Sequence, residues 1–306
     1  MKKGPPFLLP YFALILTVCL WGLSFVATKA VLRYFSPFSV MFLRYGSASL
    51  IFILFFLATR FPKFTKPDRK RVLLLALMNP GLYFVFETFG INMTTAGEAS
   101  IIIALVPIVV ALLSRPILGE DITKRQIFGV ALSIIGVAVL IFAVPSGGIT
   151  LRPSIGGYLL VLGAVLSAAL YTIASRDLGK RNPPIVITGM QTICGGLFFL
   201  PFFLLESNTT AWRTLPLPAY GGIIFLILGA TLAGFFFYNY SLSKLPAARA
   251  SLFLNAIPVV SIIGAFFVLG ETLAPLQWAG AVIVLAGVYT GSFSGKKQYL
   301  GAKDSQ

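Results

Sequence analysis

The 306-residue chain contains no histidine, only two cysteines, and nine acidic residues against 24 lysines and arginines. Each scarcity removes a class of function. Without histidine there is no imidazole base, no imidazole metal ligand and no histidine proton relay. Cys19 and Cys194 both fall in apolar stretches and read as small packing residues, implying neither a disulfide framework nor a thiolate metal site. Charged residues are also few, at 11%, where soluble domains carry about a quarter. What fills their place is apolar: 58% hydrophobic residues, 28 of them Phe, and a mean hydropathy of +0.92. That balance excludes a soluble globule and requires an integral membrane protein.

A helix needs about 20 apolar residues to cross about 30 Å of hydrocarbon. Ten such segments are predicted, near 11–32, 38–59, 72–93, 97–115, 127–144, 155–175, 185–205, 220–241, 249–268 and 277–294. Runs such as Ser49 to Ala58 are continuously apolar, unlike the alternating strands of a membrane barrel, so the fold class is all-α. Lys2-Lys3 before an apolar stretch resembles a secretory signal, but the stretch is too long for a signal core. Trp212 and Trp278 fall near span ends, where interfacial anchoring is the default. The Asn208-Thr209-Thr210 glycosylation pattern is too short to carry weight.

The basic excess sorts by loop. With the amino terminus inside, nineteen of the 24 basic residues fall on the inner side, among them Arg60, Lys63, Lys66, Arg69, Lys70, Arg71, Lys124 and Arg125. The outer loops hold only Arg33, Arg152 and Arg213, while Lys29 and Arg44 lie within spans. This bias is the positive-inside signature of a multi-pass protein with both termini cytoplasmic, and it points to no nucleic-acid partner.

Residues Thr95 to Phe142 recur as Pro246 to Phe293 at a constant offset of 151, with thirteen of 48 positions identical. Shared landmarks include Ala99-Ser100 with Ala250-Ser251, Pro107 with Pro258, Leu118-Gly119-Glu120 with Leu269-Gly270-Glu271, and Gly136-Val137 with Gly287-Val288. Five spans per copy is an odd number, so the second copy must enter the bilayer upside down. The charges agree: Arg115, Lys124 and Arg125 become Phe266, Pro275 and Leu276, while Glu98 becomes Arg249. The chain therefore divides into two inverted five-helix repeats, 1–148 and 149–306, joined across the Gly-containing stretch from Pro145 to Pro153.

These residues resemble the ten-helix EamA-type transporters of the drug/metabolite transporter superfamily. The likeness rests on Trp21 to Lys29, Arg44, and the doubled small-residue, Pro, Leu-Gly-Glu, Gly, Gly-Val series. It implies two five-helix bundles around a central cavity, lined mainly by the first, third and fourth helix of each half, in a prokaryotic cytoplasmic (inner) membrane. It further implies a secondary transporter that exports small polar or amphipathic metabolites, amino acids or related compounds, by alternating access. Efflux of lipophilic cations, or uptake on the same fold, are the competing readings. A monomer and a homodimer are both compatible with it.

Candidate substrate-binding residues follow from polar positions at helical spacing. Asn79, Tyr83 and Glu87 stand at i, i+4 and i+8 in the third span. Thr17, Trp21, Ser24 and Thr28 form a similar stripe in the first, and Tyr171, Tyr238, Asn239 and Asn255 supply the second half. Glu87 is the one carboxylate well inside a span, where an ionised acid must face water, ligand or a cation. It is the candidate for binding a substrate ammonium group or a coupling proton, or for pairing with Lys29 or Arg44. Pro107 and Pro258 interrupt equivalent helices and are the candidate paired hinges. No metal cluster, cofactor motif or nucleophile with a partnered base appears, so the chain does not read as an enzyme. The partners expected are the lipid bilayer, a small-molecule substrate and protons.

Overall fold

A computed structural model describes residues 8–62, 65–118, 124–142, 155–206, 215–245 and 247–292. Among the described residues the structure is helical throughout, with no strand. Ten successive helical segments follow the ten apolar stretches. We label them α1 (Leu9–Val31), α2 (Pro37–Thr59), α3 (Lys66–Ala76, Leu77–Leu82 and Tyr83–Met93) and α4 (Ala96–Ile103 and Val106–Leu118). They continue with α5 (Lys124–Phe142), α6 (Ile155–Gly179), α7 (Pro184–Leu205), α8 (Leu217–Ile224, Phe225–Gly234 and Phe235–Lys244), α9 (Ala247–Leu252, Phe253–Ala256 and Ile257–Leu269) and α10 (Pro275–Ser292). Seven are long and apolar enough to cross a bilayer outright, while α5, α9 and α10 hold shorter apolar stretches. Leu54, Phe128, Leu204, Phe267 and other large apolar side chains lie exposed on the outside of the bundle, as a lipid solvent requires.

Local chemistry sets the helix ends. At the start of α4, Thr95 and Glu98 form a reciprocal cap: Glu98 N–H donates to Thr95 Oγ1 at 3.1 Å, and Thr95 N–H to Glu98 Oε2 at 3.0 Å. At the end of α9, Gly270 takes the left-handed conformation, φ 67°, which glycine adopts without a Cβ penalty. In α3, Pro80 offers no N–H, Asn79 is extended (φ −148°, ψ 117°), and the helix resumes only after a widened turn. A widened turn also occupies Phe225–Gly234 of α8, where no proline announces it. Its register matches: 77–82 plus the offset of 151 falls inside it.

Side-chain contacts give the helix directions. The Glu271 carboxylate, just past the end of α9, accepts from Ala96 N–H at the start of α4, 3.0 Å away. Tyr158 Oη, near the start of α6, donates to Glu98 at 3.0 Å. The starts of α4 and α6 and the end of α9 therefore share one face, the outer one on the loop-charge assignment. At the opposite face Ser241, near the end of α8, donates to Pro10 O at 2.9 Å. There too Arg71 and Arg181 reach Asp177 at 3.2 and 2.9 Å. Thus α4 and α9 run antiparallel, as do α1 and α6, and the two halves are inverted. Like pairs with like: α2 packs along α7, α5 along α10, and α4 against α9, while α1–α8 and α3–α6 exchange partners. Close approach depends on small residues. A Cβ on Gly136 of α5 would lie 2.6 Å from the Val284 backbone nitrogen of α10, which leaves no room for a side chain. The junction expected between the halves, Pro145 to Pro153, lies outside the described residues, as do Glu120, Trp212 and Arg213.

Candidate functional site

Where α1, α3, α4, α6, α8 and α9 converge they leave a narrow cavity of about 40 Å³. Its wall carries Trp21, Ser24, Asn79, Tyr83, Glu87, Tyr171 and Tyr238, all among the positions singled out from the sequence. One further helix contributes, because α2 places Arg44 in the same wall. Between these polar groups the lining is apolar and aromatic, including Phe25, Phe84, Phe235, Leu254 and Ile257.

Two opposite charges define the chemistry. Glu87 is 1% exposed, and among the described residues the one hydrogen bond it receives is a long one, 3.4 Å from Thr88 Oγ1. The cation whose field acts on it is Arg44. Arg44 does not form a contact ion pair with it. Its Nε donates to Thr231 Oγ1 at 2.5 Å, and its guanidinium lies 4.3 Å over the Phe84 ring. An acid and a base thus face one cavity with neither neutralised by direct contact, a costly arrangement in an apolar interior. Asn79 adds an acceptor, since its Oδ1 is buried without a hydrogen-bond partner at the break in α3.

The aromatic groups are held in place. Trp21 Nε1 donates to Ala230 O, 3.1 Å away, a carbonyl in the widened turn of α8, and its ring meets Phe235 and Tyr238 at 5.0 and 4.9 Å. The ring fits because Gly234 has no Cβ, which would otherwise sit 2.6 Å from the indole nitrogen. Tyr171 Oη donates to Asn239 Oδ1 at 2.8 Å, and Tyr238 Oη lies 3.2 Å from Thr172 Oγ1.

Other predicted residues stand elsewhere. Asn239 sits behind the wall: its Oδ1 also accepts from Ser175 at 2.7 Å, and its Nδ2 donates to Thr188 at 2.9 Å, so its carboxamide is consumed in positioning Tyr171. Asn255 lies beside the lining residue Leu254 on α9, and its Oδ1 is buried without a partner. Lys29 is away from Glu87 chemistry altogether, donating to Ile91 O, Asn92 O and Thr94 O at 2.8, 3.3 and 2.5 Å. Pro107 and Pro258 each follow a lining residue, Val106 and Ile257, at the point where α4 and α9 resume after a break. Sequence reasoning missed Thr172, Thr231 and the Thr188–Ser175 support. Thr172 and Thr231 stand in apolar runs, where an isolated hydroxyl carries no spacing signal.

Comparison with known proteins adds an independent finding. The sequence matches the profile described as the EamA-like transporter family twice, over residues 8–142 and 155–292. Among curated proteins, it is 34% identical to an uncharacterized transporter of Archaeoglobus fulgidus over 91% of this chain and 97% of that one. It is 28% identical to a protein of Salmonella typhimurium named a probable amino-acid metabolite efflux pump, covering 92% and 94% of the two chains. It is 30% identical to a protein of Streptantibioticus cattleyicolor named a probable terminal-alkyne amino-acid exporter, covering 90% and 91%. One solved crystal structure superposes with a TM-score of 0.64 over 97% of this chain and 99% of its own, at 19% identity, a likeness of fold alone.

Proposed function

The chain belongs to the EamA-like transporter family, and from that premise we propose that it exports a small zwitterionic metabolite, an amino acid or a close relative, by alternating access. The observation that carries the reading is Glu87 and Arg44 in one cavity wall without a contact pair between them. A substrate ammonium neutralises Glu87, with Asn79 Oδ1 as a further acceptor. The substrate carboxylate uses the guanidinium nitrogens that Arg44 does not spend on Thr231, since the fork has donors in excess. The aromatic wall takes an apolar side chain. Efflux of lipophilic cations fits less well, because Arg44 would repel the ligand that Glu87 attracts. Names of relatives at 28% and 30% identity support export of amino-acid compounds.

Glu87 is also the proposed coupling group, binding substrate ammonium in one state and a proton in the other. A thermal-stability screen of amino acids on purified protein should identify a ligand, and counterflow into liposomes should then transport it. Glu87→Gln should retain the folded, monodisperse state and lower counterflow roughly tenfold or more, about 1.4 kcal/mol of lost interaction. Unaltered counterflow with an unaltered pH profile in that variant would remove Glu87 from both roles.

A further inference from the structure

Two cations outside the cavity share one architecture. Lys29 lies in the last turn of α1, and Arg176 lies in the last turn of α6, the first helix of the second half. Each reaches the carbonyls that close the third helix of its own half. Lys29 Nζ is 2.8 Å from Ile91 O and 2.5 Å from Thr94 O at the end of α3, and an Arg176 Nη is 2.6 Å from Leu242 O at the end of α8. Ile91 and Leu242 are separated by 151 residues, the repeat offset itself.

The two contacts lie at opposite faces, because α1 and α6 run antiparallel. At the Lys29 face the start of α4 is tied in as well, by the Glu271 carboxylate on Ala96 N–H at 3.0 Å and by Tyr158 on Glu98 at 3.0 Å. Glu271 and Glu98 are also the acids whose charge bears on the Lys29 ammonium. A cation on the last carbonyls of a helix adds a donor where intrahelical N–H groups run out, Ile91 O otherwise receiving a long 3.4 Å bond from Thr94 N–H, and it opposes the negative end of the helix dipole. These are charge-assisted bonds in a partly buried setting, so breaking one matters.

We infer that Lys29 and Arg176 are paired latches: Lys29 holds the outer ends of α1 and α3 together, and Arg176 holds the inner ends of α6 and α8 together. Opening the cavity to one face requires release of the latch at that face. Weakening one latch therefore shifts the protein toward the state open on its own side and away from the other. The inference rests on the alternating-access reading, not on the identity of the substrate.

The test reads accessibility, with no substrate needed. With Cys19 and Cys194 replaced by alanine, Ala168→Cys places a reporter thiol in the cavity wall. A membrane-impermeant maleimide is then added to intact cells or to inverted vesicles. Lys29→Gln should speed labelling from outside and slow it from inside, and Arg176→Gln should do the reverse. The expected change is roughly fivefold or more, the scale of one such bond in a two-state equilibrium. Lys29→Arg and Arg176→Lys should restore the parental rates. Changes in the same direction for both glutamine variants, or no change in folded protein, would overturn the latches. Fast labelling from both faces in the parent would instead defeat alternating access.

Should a glutamine variant fail to fold, disulfides give the second measurement. Lys29→Cys with Thr94→Cys should block labelling from outside alone when oxidised, and Arg176→Cys with Leu242→Cys should block it from inside alone. Undiminished labelling through a closed disulfide would equally overturn the proposal.

Discussion

At the scale of single residues, the cavity separates groups that present chemistry from groups that hold them. Asn239 is of the second kind. It accepts from Tyr171 and Ser175 at 2.8 and 2.7 Å and donates to Thr188 at 2.9 Å, all buried. Replacing it with leucine orphans those hydroxyls, at about 1–3 kcal/mol for each that finds no other partner. Asn239→Leu should therefore lower the thermal midpoint of the purified protein and weaken ligand binding. Tyr171→Phe should weaken binding with a much smaller loss of stability, because the phenyl ring still fills its place. If both variants lose stability equally, Asn239 is not acting through Tyr171. The distinction was illegible in the sequence, since Tyr238 and Asn239 are adjacent and point about 100° apart on a helix. Asn79, Tyr83 and Glu87 were legible because four-residue spacing survived the widened turn between the first two.

Elements add two devices that single residues do not reveal. Both α4 and α9 are broken just before Val106-Pro107 and Ile257-Pro258, at positions 151 apart. A proline removes one backbone bond and obstructs the preceding turn, so the repeat preserves a weak point on each side of the cavity. If these points bend during transport, Pro107→Ala and Pro258→Ala should each slow counterflow while leaving ligand binding nearly intact; unchanged transport in both would make the breaks fixed features of cavity shape. The second device is Glu271, in the turn between α9 and α10. Burial raises its carboxyl above the usual range, with the Gly97 and Ala96 N–H groups and Lys29 opposing that shift. A raised native pKa means that the folded protein holds the proton more tightly than the unfolded chain. Its contribution to stability is then full below the unfolded value, about 4.3, and is lost as pH rises through the native value. Thermal midpoints measured across this window should fall with rising pH, and Glu271→Gln should flatten that decline. A slope unaffected by the substitution would place the titration elsewhere. The prolines were visible in the sequence; the widened turn in α8 was not, since Gly229 and Gly234 occur among many glycines in apolar spans.

Across the whole molecule, inversion sets one folded unit against its copy around a shared interior. Repetition of 48 residues at one offset revealed the duplication, and loop charge revealed its sense. Contacts between halves were beyond sequence reach, because the exchange of α1 and α6 against α8 and α3 depends on packing between unlike surfaces. The antiparallel arrangement makes a demand that no single-helix argument makes. Lys124, after the first Leu-Gly-Glu element, and Thr272, after the second, must face opposite aqueous compartments, although the repeat places them in nearly equivalent loops. A cysteine at each site, Lys124→Cys and Thr272→Cys in a background without Cys19 and Cys194, tests this directly. The positive-inside bias assigns the first to the cytoplasm, so it should react with an impermeant maleimide only in inverted vesicles, and the second only in intact cells. The opposite pattern would reverse the sidedness yet preserve the inversion. Reaction of both from the same side would break the inversion itself, and with it the pairing of the Lys29 and Arg176 ends and the two-sided cavity on which transport depends.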